Sequence, residues 1–142
     1  MAQSDEPTSV YLLDDDASVR RAVSRLLHAA GIDVRAFGSV DEFLSSHIER
    51  RRACVVADAL MPGDGGMHLP HRLHAAGCDI PVILMTAEDN GRLRAAAKLA
   101  GAVGFFHKPV DAQALIDAIQ WALDDPGSHT RSQRTAVHKK SQ

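Results

Sequence analysis

Short apolar runs alternate with longer amphipathic segments along this chain. VYLL (10–13), IDVRAF (32–37), CVVA (54–57), PVILM (81–85) and AVGFF (102–106) are too short for helices. Nearly continuous apolar runs of this length suit β-strands covered on both faces. The second run alternates more than the others, as an edge strand does. Between the runs the period changes to that of a helix. Val19, Val23, Leu26, Leu27 and Ala30 share one face of SVRRAVSRLLHAAG, which Gly31 closes. Val40, Phe43 and Leu44 mark a second helix, with Ser39 placed to cap it. MHLPHRLHAAG holds a short third helix, in which Pro70 fits only the first turn. GRLRAAAKLAG gives a fourth, ended by Gly101. DAQALIDAIQWAL gives a fifth, capped by Asp111, with Leu115, Ile116, Ile119 and Leu123 on one face.

Five strand–helix repeats predict an α/β fold. The sheet is parallel, the crossovers are right-handed and helices cover both faces. For five strands of this kind the predicted order is 2-1-3-4-5.

Composition adds boundaries. The 142 residues are the length of one domain, and 45% hydrophobic content supports an ordinary core. Aromatics make up only 4%, so aliphatic side chains must supply most of the packing. The net charge of −2 argues against a general nucleic-acid binder. That mean conceals an asymmetry, because all 18 acids lie in residues 1–125 and residues 126–142 carry four bases and no acid. The predicted division is an N-terminal extension (1–8), a folded domain (9–125) and a flexible basic tail (126–142), which is read as solvated. Cys54 and Cys78 read as buried thiols of a cytosolic protein. No run of 18 apolar residues predicts a membrane span, and the polar, acidic start MAQSDEPTS is unlike a signal peptide. A cytoplasmic location is therefore expected.

The chemistry collects at one edge of the predicted sheet. In open parallel sheets the functional crevice lies at the carboxyl ends of the strands, near the switch in strand order. There, strand 1 delivers Asp14 and Asp15, strand 3 Asp58, strand 4 Thr86 and strand 5 Lys108. Like charges ~4 Å apart repel by roughly 4 kcal/mol near a protein surface, so clustered carboxylates imply a compensating partner. Carboxylates, carbonyls and water suit a hard divalent cation such as Mg²⁺. A carboxylate beside such a cation can attack phosphorus and form an aspartyl phosphate, with a lysine and a hydroxyl contacting the phosphoryl oxygens. Asp16, which precedes a helix, is assigned to the helix N-terminus and not to the site.

LLDDDASVR, ADALMPGDGG, VILMTA and FFHKP together resemble the receiver domain of bacterial two-component response regulators, most nearly that of FixJ-type transcription regulators. The resemblance spans about residues 9–124 and implies a flavodoxin-like receiver fold. It implies that Asp58 accepts a phosphoryl group from a sensor histidine kinase. Asp15 and the Leu60 backbone carbonyl would ligate Mg²⁺ with Asp58, and Asp14 would act through a metal-bound water. Thr86 and Lys108 would contact the phosphoryl group. Thr86 and Phe105 would form the switch, and Lys108-Pro109 would be a candidate cis peptide. Small Ala87 would give access, and Gly66 would be the loop glycine. Leu60 and Glu88 occupy positions that tune phosphoryl lifetime, and Asp64 adds a charge near the rim. Phosphorylation would remodel the face of helix 4, strand 5 and helix 5, through which a homodimer or an output could form. Self-catalysed phosphotransfer and dephosphorylation, without turnover of an external substrate, would make this a signalling domain and not an enzyme. FixJ-type regulators carry a helix-turn-helix output, whereas only a short tail follows the fifth helix here. The chain is therefore read as a stand-alone receiver or one cut from a longer regulator, with no direct nucleic-acid contact of its own.

Three other readings compete. LLDDDASV also satisfies the D-x-D-x-[ST]-[VI] pattern of haloacid dehalogenase-type phosphatases, with Asp14 as nucleophile and Asp16 as acid/base, but that leaves Asp58 unexplained. His68, His71 and His74 recur at i, i+3 and i+6, yet the first and last lie roughly 240° apart around a helix. A non-phosphorylated receiver-like interaction module is the third.

Overall fold

A computed structural model describes residues 7–63, 65–88 and 91–124. The predicted basic tail, most of the N-terminal extension and Asp64 lie outside the described residues. The elements are β1 (Ser9–Leu13), α1 (Ala17–Ala29), β2 (Asp33–Phe37), α2 (Val40–Leu44), β3 (Ala53–Asp58), α3 (Leu69–Ala75), β4 (Val82–Thr86), α4 (Gly91–Ala100), β5 (Gly104–His107) and α5 (Ala112–Asp124). The five strands form one sheet in the order β2-β1-β3-β4-β5, and every pairing is parallel. Fold class and strand order are those predicted.

The apolar runs divide their side chains between two layers. Tyr11, Leu13, Val55, Ala57, Val82 and Leu84 face one side, where Phe43, Leu69, Leu73 and Ala97 cover them. Val10, Leu12, Cys54, Val56, Ile83 and Met85 face the other, against Val23, Leu27, Leu115 and Ile119. The pleat sends alternate residues to opposite faces, so a strand buried on both sides must be apolar throughout. Edge strand β2 has no fully buried residue, which explains its alternating sequence. Three of the six aromatic residues, Tyr11, Phe37 and Phe43, cluster with ring centroids 5.2–6.3 Å apart.

Cys54 and Cys78 are both free and buried. Desolvation pushes the Cys54 thiol up to about 12, so it is not a nucleophile at neutral pH.

β2 and β5 start later than their sequences suggest for one shared reason, and β4 is displaced by one residue, to Val82–Thr86. Gly31, Gly77 and Gly101 adopt φ of 83°, 79° and 103° and end α1, α3 and α4. The next residues, Ile32, Cys78 and Ala102, donate their N–H groups back to Leu27, Leu73 and Ala97. These are Schellman closures, which need a left-handed residue. Ile32 and Ala102 are apolar because they plug a helix end, not because they belong to strands. The predicted 32–37 and 102–106 strands accordingly become Asp33–Phe37 and Gly104–His107. The third helix is also shorter than its pattern, because a 3₁₀ turn (Gly66–His68) precedes it and Pro70 lies in its first turn.

Candidate functional site

All five predicted side chains reach the carboxyl end of the sheet. β1 ends at Leu13, so Asp14 is the first residue beyond it, and its N–H donates to the Phe37 carbonyl at the end of β2 (3.1 Å). Asp58 ends β3 and Thr86 ends β4, while Lys108 follows β5. Consecutive β4 carbonyls tie the ends of both neighbouring strands, β3 and β5, to β4. Met85 accepts from the Ala59 N–H and Thr86 from the Lys108 N–H, both at 2.7 Å. Backbone pairing thus brings together acids and a base far apart in sequence.

Lys108 bridges the acids. Its Nζ donates to Asp14 Oδ2 at 2.6 Å and to Asp58 Oδ2 at 3.1 Å. The Asp14 side chain is fully buried, and those of Asp58 and Lys108 are 11% and 16% exposed. Desolvation pulls the Lys108 ammonium down, but its hydrogen bonds to Asp14 and Asp58, with their charges, raise it above its ordinary 10.5 overall. The second oxygens of both acids are also used. Asp14 Oδ1 accepts from the Asp16 N–H and Asp58 Oδ1 from the Leu60 N–H, each at 2.9 Å. These local turns fix both carboxylates.

Asp15 is exposed and completes a triad with Asp14 and Asp58, in which one carboxylate oxygen from each lies within 4.8 Å of the others. Among the described residues this is the group of three whose side chains could share a metal ion. Its donors are all hard oxygens, and the exposed side at Asp15 leaves room for water. That combination fits Mg²⁺, which prefers few carboxylates and keeps several waters.

Asp16 plays the separate part predicted for it. It is the N-cap of α1, and its Oδ1 accepts from Ser18 N (2.8 Å) and Val19 N (3.4 Å). A carboxylate committed to the cap is poorly placed for the acid/base role of the phosphatase reading. The histidine reading gains no support either, because His68 ends the 3₁₀ turn and His74 Nδ1 lies 3.5 Å from Asp79.

Thr86 is fully buried, and its Oγ1 accepts from the Glu88 N–H (3.1 Å). Leu60 is 46% exposed over the rim. Phe105 is partly buried, and the Arg94 guanidinium lies 4.9 Å from its ring centroid. The Lys108-Pro109 peptide bond is cis. Gly66 packs directly beneath Asp58, where a Cβ would meet the Asp58 carbonyl oxygen at 2.5 Å.

Three partners were not predicted from sequence. Arg20 Nη1 donates to the Asp14 carbonyl at 2.6 Å. Arg94 covers Phe105, and His107 Nε2 lies 3.2 Å from the Ala87 carbonyl. Of these, Arg20 left a signal, because a long side chain in the first turn of a helix points back toward its N-terminus.

The model of the response regulator receiver domain matches residues 10–120. The chain belongs to this family. The receiver is 34% identical to the transcriptional regulatory protein FixJ of Azorhizobium caulinodans over 137 residues, covering 95% of this chain and 65% of FixJ. It is 36% identical to the transcriptional regulatory protein TdiR of Thauera aromatica, covering 82% of this chain and 51% of TdiR. The receiver therefore spans about half to two thirds of the length of these relatives. A crystal structure of FixJ-N superposes with a TM-score of 0.77 at 29% identity, covering 84% of this chain and 95% of that one. Among the described residues no helix is long and apolar enough to cross a membrane.

Proposed function

We propose that this receiver accepts a phosphoryl group from a sensor histidine kinase on Asp58 and thereby controls a partner or an output domain. The observation that carries the reading is the Lys108 ammonium held between Asp14 and Asp58, with Asp15 completing the carboxylate triad. Asp58 is the acid at the end of the central strand β3, and one of its oxygens already faces a cation. Attack of that carboxylate on a phosphohistidine forms the Asp58 O–P bond and breaks the histidine N–P bond, leaving the electron pair on the imidazole nitrogen. Lys108 stays beside the incoming oxygens and offsets their charge. Asp14, Asp15, Asp58 and the Leu60 carbonyl are the groups that would hold Mg²⁺, which when bound supplies charge neutralisation to the phosphoryl group.

The Thr86 hydroxyl, now accepting from Glu88 N–H, turns to a phosphoryl oxygen, and Phe105 moves with it. The α4-β5-α5 face is remodelled as a two-state element biased by a local charge change. A homodimer through α4 and β5, or an output domain in transcription regulation, reads that change. The proposed division is residues 9–125 as the receiver, with 1–8 and 126–142 flanking it, in the cytoplasm.

The test is intact mass after incubation with Mg²⁺ and a small acyl-phosphate donor. One phosphoryl group is expected on the wild type and none on Asp58→Asn. No addition on the wild type, where another receiver reacts, favours an interaction module instead. Turnover of a generic phosphate ester that survives Asp58→Asn and is lost in Asp14→Asn favours the phosphatase reading.

A further inference from the structure

A second polar site lies at the opposite end of the sheet. A cavity of about 270 Å³ opens at the amino ends of β3 and β4, lined by Arg50, Arg52, Gly77, Asp79, Ile80 and Pro81 among others. Two arginines therefore line one concavity, together with the buried apolar residues Ile80 and Pro81. Arg50 uses one donor, from Nη1 to the Gly77 carbonyl at 3.0 Å, which ties the segment before β3 to the loop before β4. Arg52 Nε is buried, and no protein group accepts from it. Among the described residues neither guanidinium is seen in an ion pair.

Buried donors are almost always satisfied, by protein or by ordered water or ions, so the unpaired Arg52 Nε leaves donor capacity beside this cavity. An arginine offers five N–H donors in a planar fork that matches the oxygens of a carboxylate or phosphate. Arg52 is also the one non-glycine among the described residues with a left-handed backbone (φ 47°), and its carbonyl is anchored by the Ser9 N–H at 3.0 Å. Asp79 is the negative charge at the rim. Its Oδ1 lies 3.5 Å from His74 Nδ1, so it is shared with α3. We propose that this cavity binds a small molecule through one oxyanion group, carboxylate or phosphate, held between Arg50 and Arg52 with its apolar part against Ile80 and Pro81. This site is separate from the Asp58 rim and does not depend on phosphotransfer there.

The test is an NMR titration of the ¹⁵N-labelled full chain with inorganic phosphate and, separately, with succinate, each against chloride at equal ionic strength. Saturable shifts are expected at the amides of Arg52, Ala53, Gly77 and Ile80 and at Arg52 Nε. Saturation by one probe but not the other supports the site and identifies the oxyanion. Arg52→Gly suits the left-handed backbone and should weaken the apparent affinity at least tenfold, with Arg50→Met acting in the same direction. Shifts that stay linear, or that saturate equally in both variants, mean an adventitious ion only and overturn the proposal. So does saturation confined to Asp58 and Lys108.

Discussion

Replacing Lys108 with methionine keeps the aliphatic stem and removes the ammonium that contacts Asp14 and Asp58. At an effective dielectric of about 20, contacts of 2.6 and 3.1 Å correspond to gross attractions of ~6 and ~5 kcal/mol. Desolvation offsets most of this. Removing one partner of a buried pair nevertheless costs about 3–5 kcal/mol, because a charge is left uncompensated. Asp14 is fully buried, but water reaches Asp58 and Lys108, whose side chains are 11% and 16% exposed. The expected loss is therefore ~2–3 kcal/mol, or a fall in Tm of about 10 °C for a chain of this size. Urea unfolding at pH 7 in EDTA measures it. Adding Mg²⁺ should return more stability to Lys108→Met than to the wild type, because the variant lacks its internal cation. The alkaline limb provides a second check. The folded-state pKa of Lys108 is raised, so its contribution is complete below the unfolded value and is lost as pH rises through the higher folded one. The wild type should lose stability above about pH 10.4 more steeply than the variant. A variant that unfolds at the wild-type midpoint in EDTA, with the same alkaline slope, would refute the account of Lys108 as the cation that compensates the acids.

Three further substitutions test other parts of the site. Asp16→Ala should cost about 1 kcal/mol through loss of the α1 cap while leaving phosphoryl incorporation by intact mass unchanged; reduced incorporation at equal folding would return Asp16 to the site. Gly66→Ala drives a methyl against the Asp58 carbonyl, so chemical denaturation should show a loss of about 2 kcal/mol and incorporation should slow. Arg94→Ala removes a contact of about 0.5–1 kcal/mol over the Phe105 ring; Phe105 ring resonances should shift toward those of the phosphorylated wild type, and unchanged resonances would show that Arg94 does not hold the ring.

The fold was largely legible because β1, β3 and β4 are buried on both faces, which forces continuous apolar runs. Strand boundaries were not, since Ile32 and Ala102 look like strand residues while serving as helix plugs. Asp14, Asp15, Asp58, Thr86 and Lys108 could be placed together because strand order alone brings strand ends to one rim. What could not be read was orientation. Periodicity puts Asp14 and Asp15 side by side, but the pleat buries one completely and exposes the other. Contacts between elements, such as Arg94 on Phe105 and His107 at Ala87, depend on helix placement that no local pattern encodes. The Arg50–Arg52 cavity was equally hidden, since a run of arginines reads as a solvated turn until the loop before β4 packs over it.

The Lys108–Asp14 bond joins residues 94 positions apart, and this has a consequence for the order in which the protein is made. Synthesis proceeds from the N-terminus, so Asp14, Asp15 and Asp58 all leave the ribosome before the lysine that compensates them. Until β5 emerges and docks on β4, the nascent sheet carries an acidic rim without the ammonium that contacts Asp14 and Asp58. Docking of the last strand therefore completes the sheet and brings Lys108 to the acids in a single event. A chain interrupted before residue 104 lacks both the β5 edge and Lys108, so the competence of the rim reports that translation has passed the last strand.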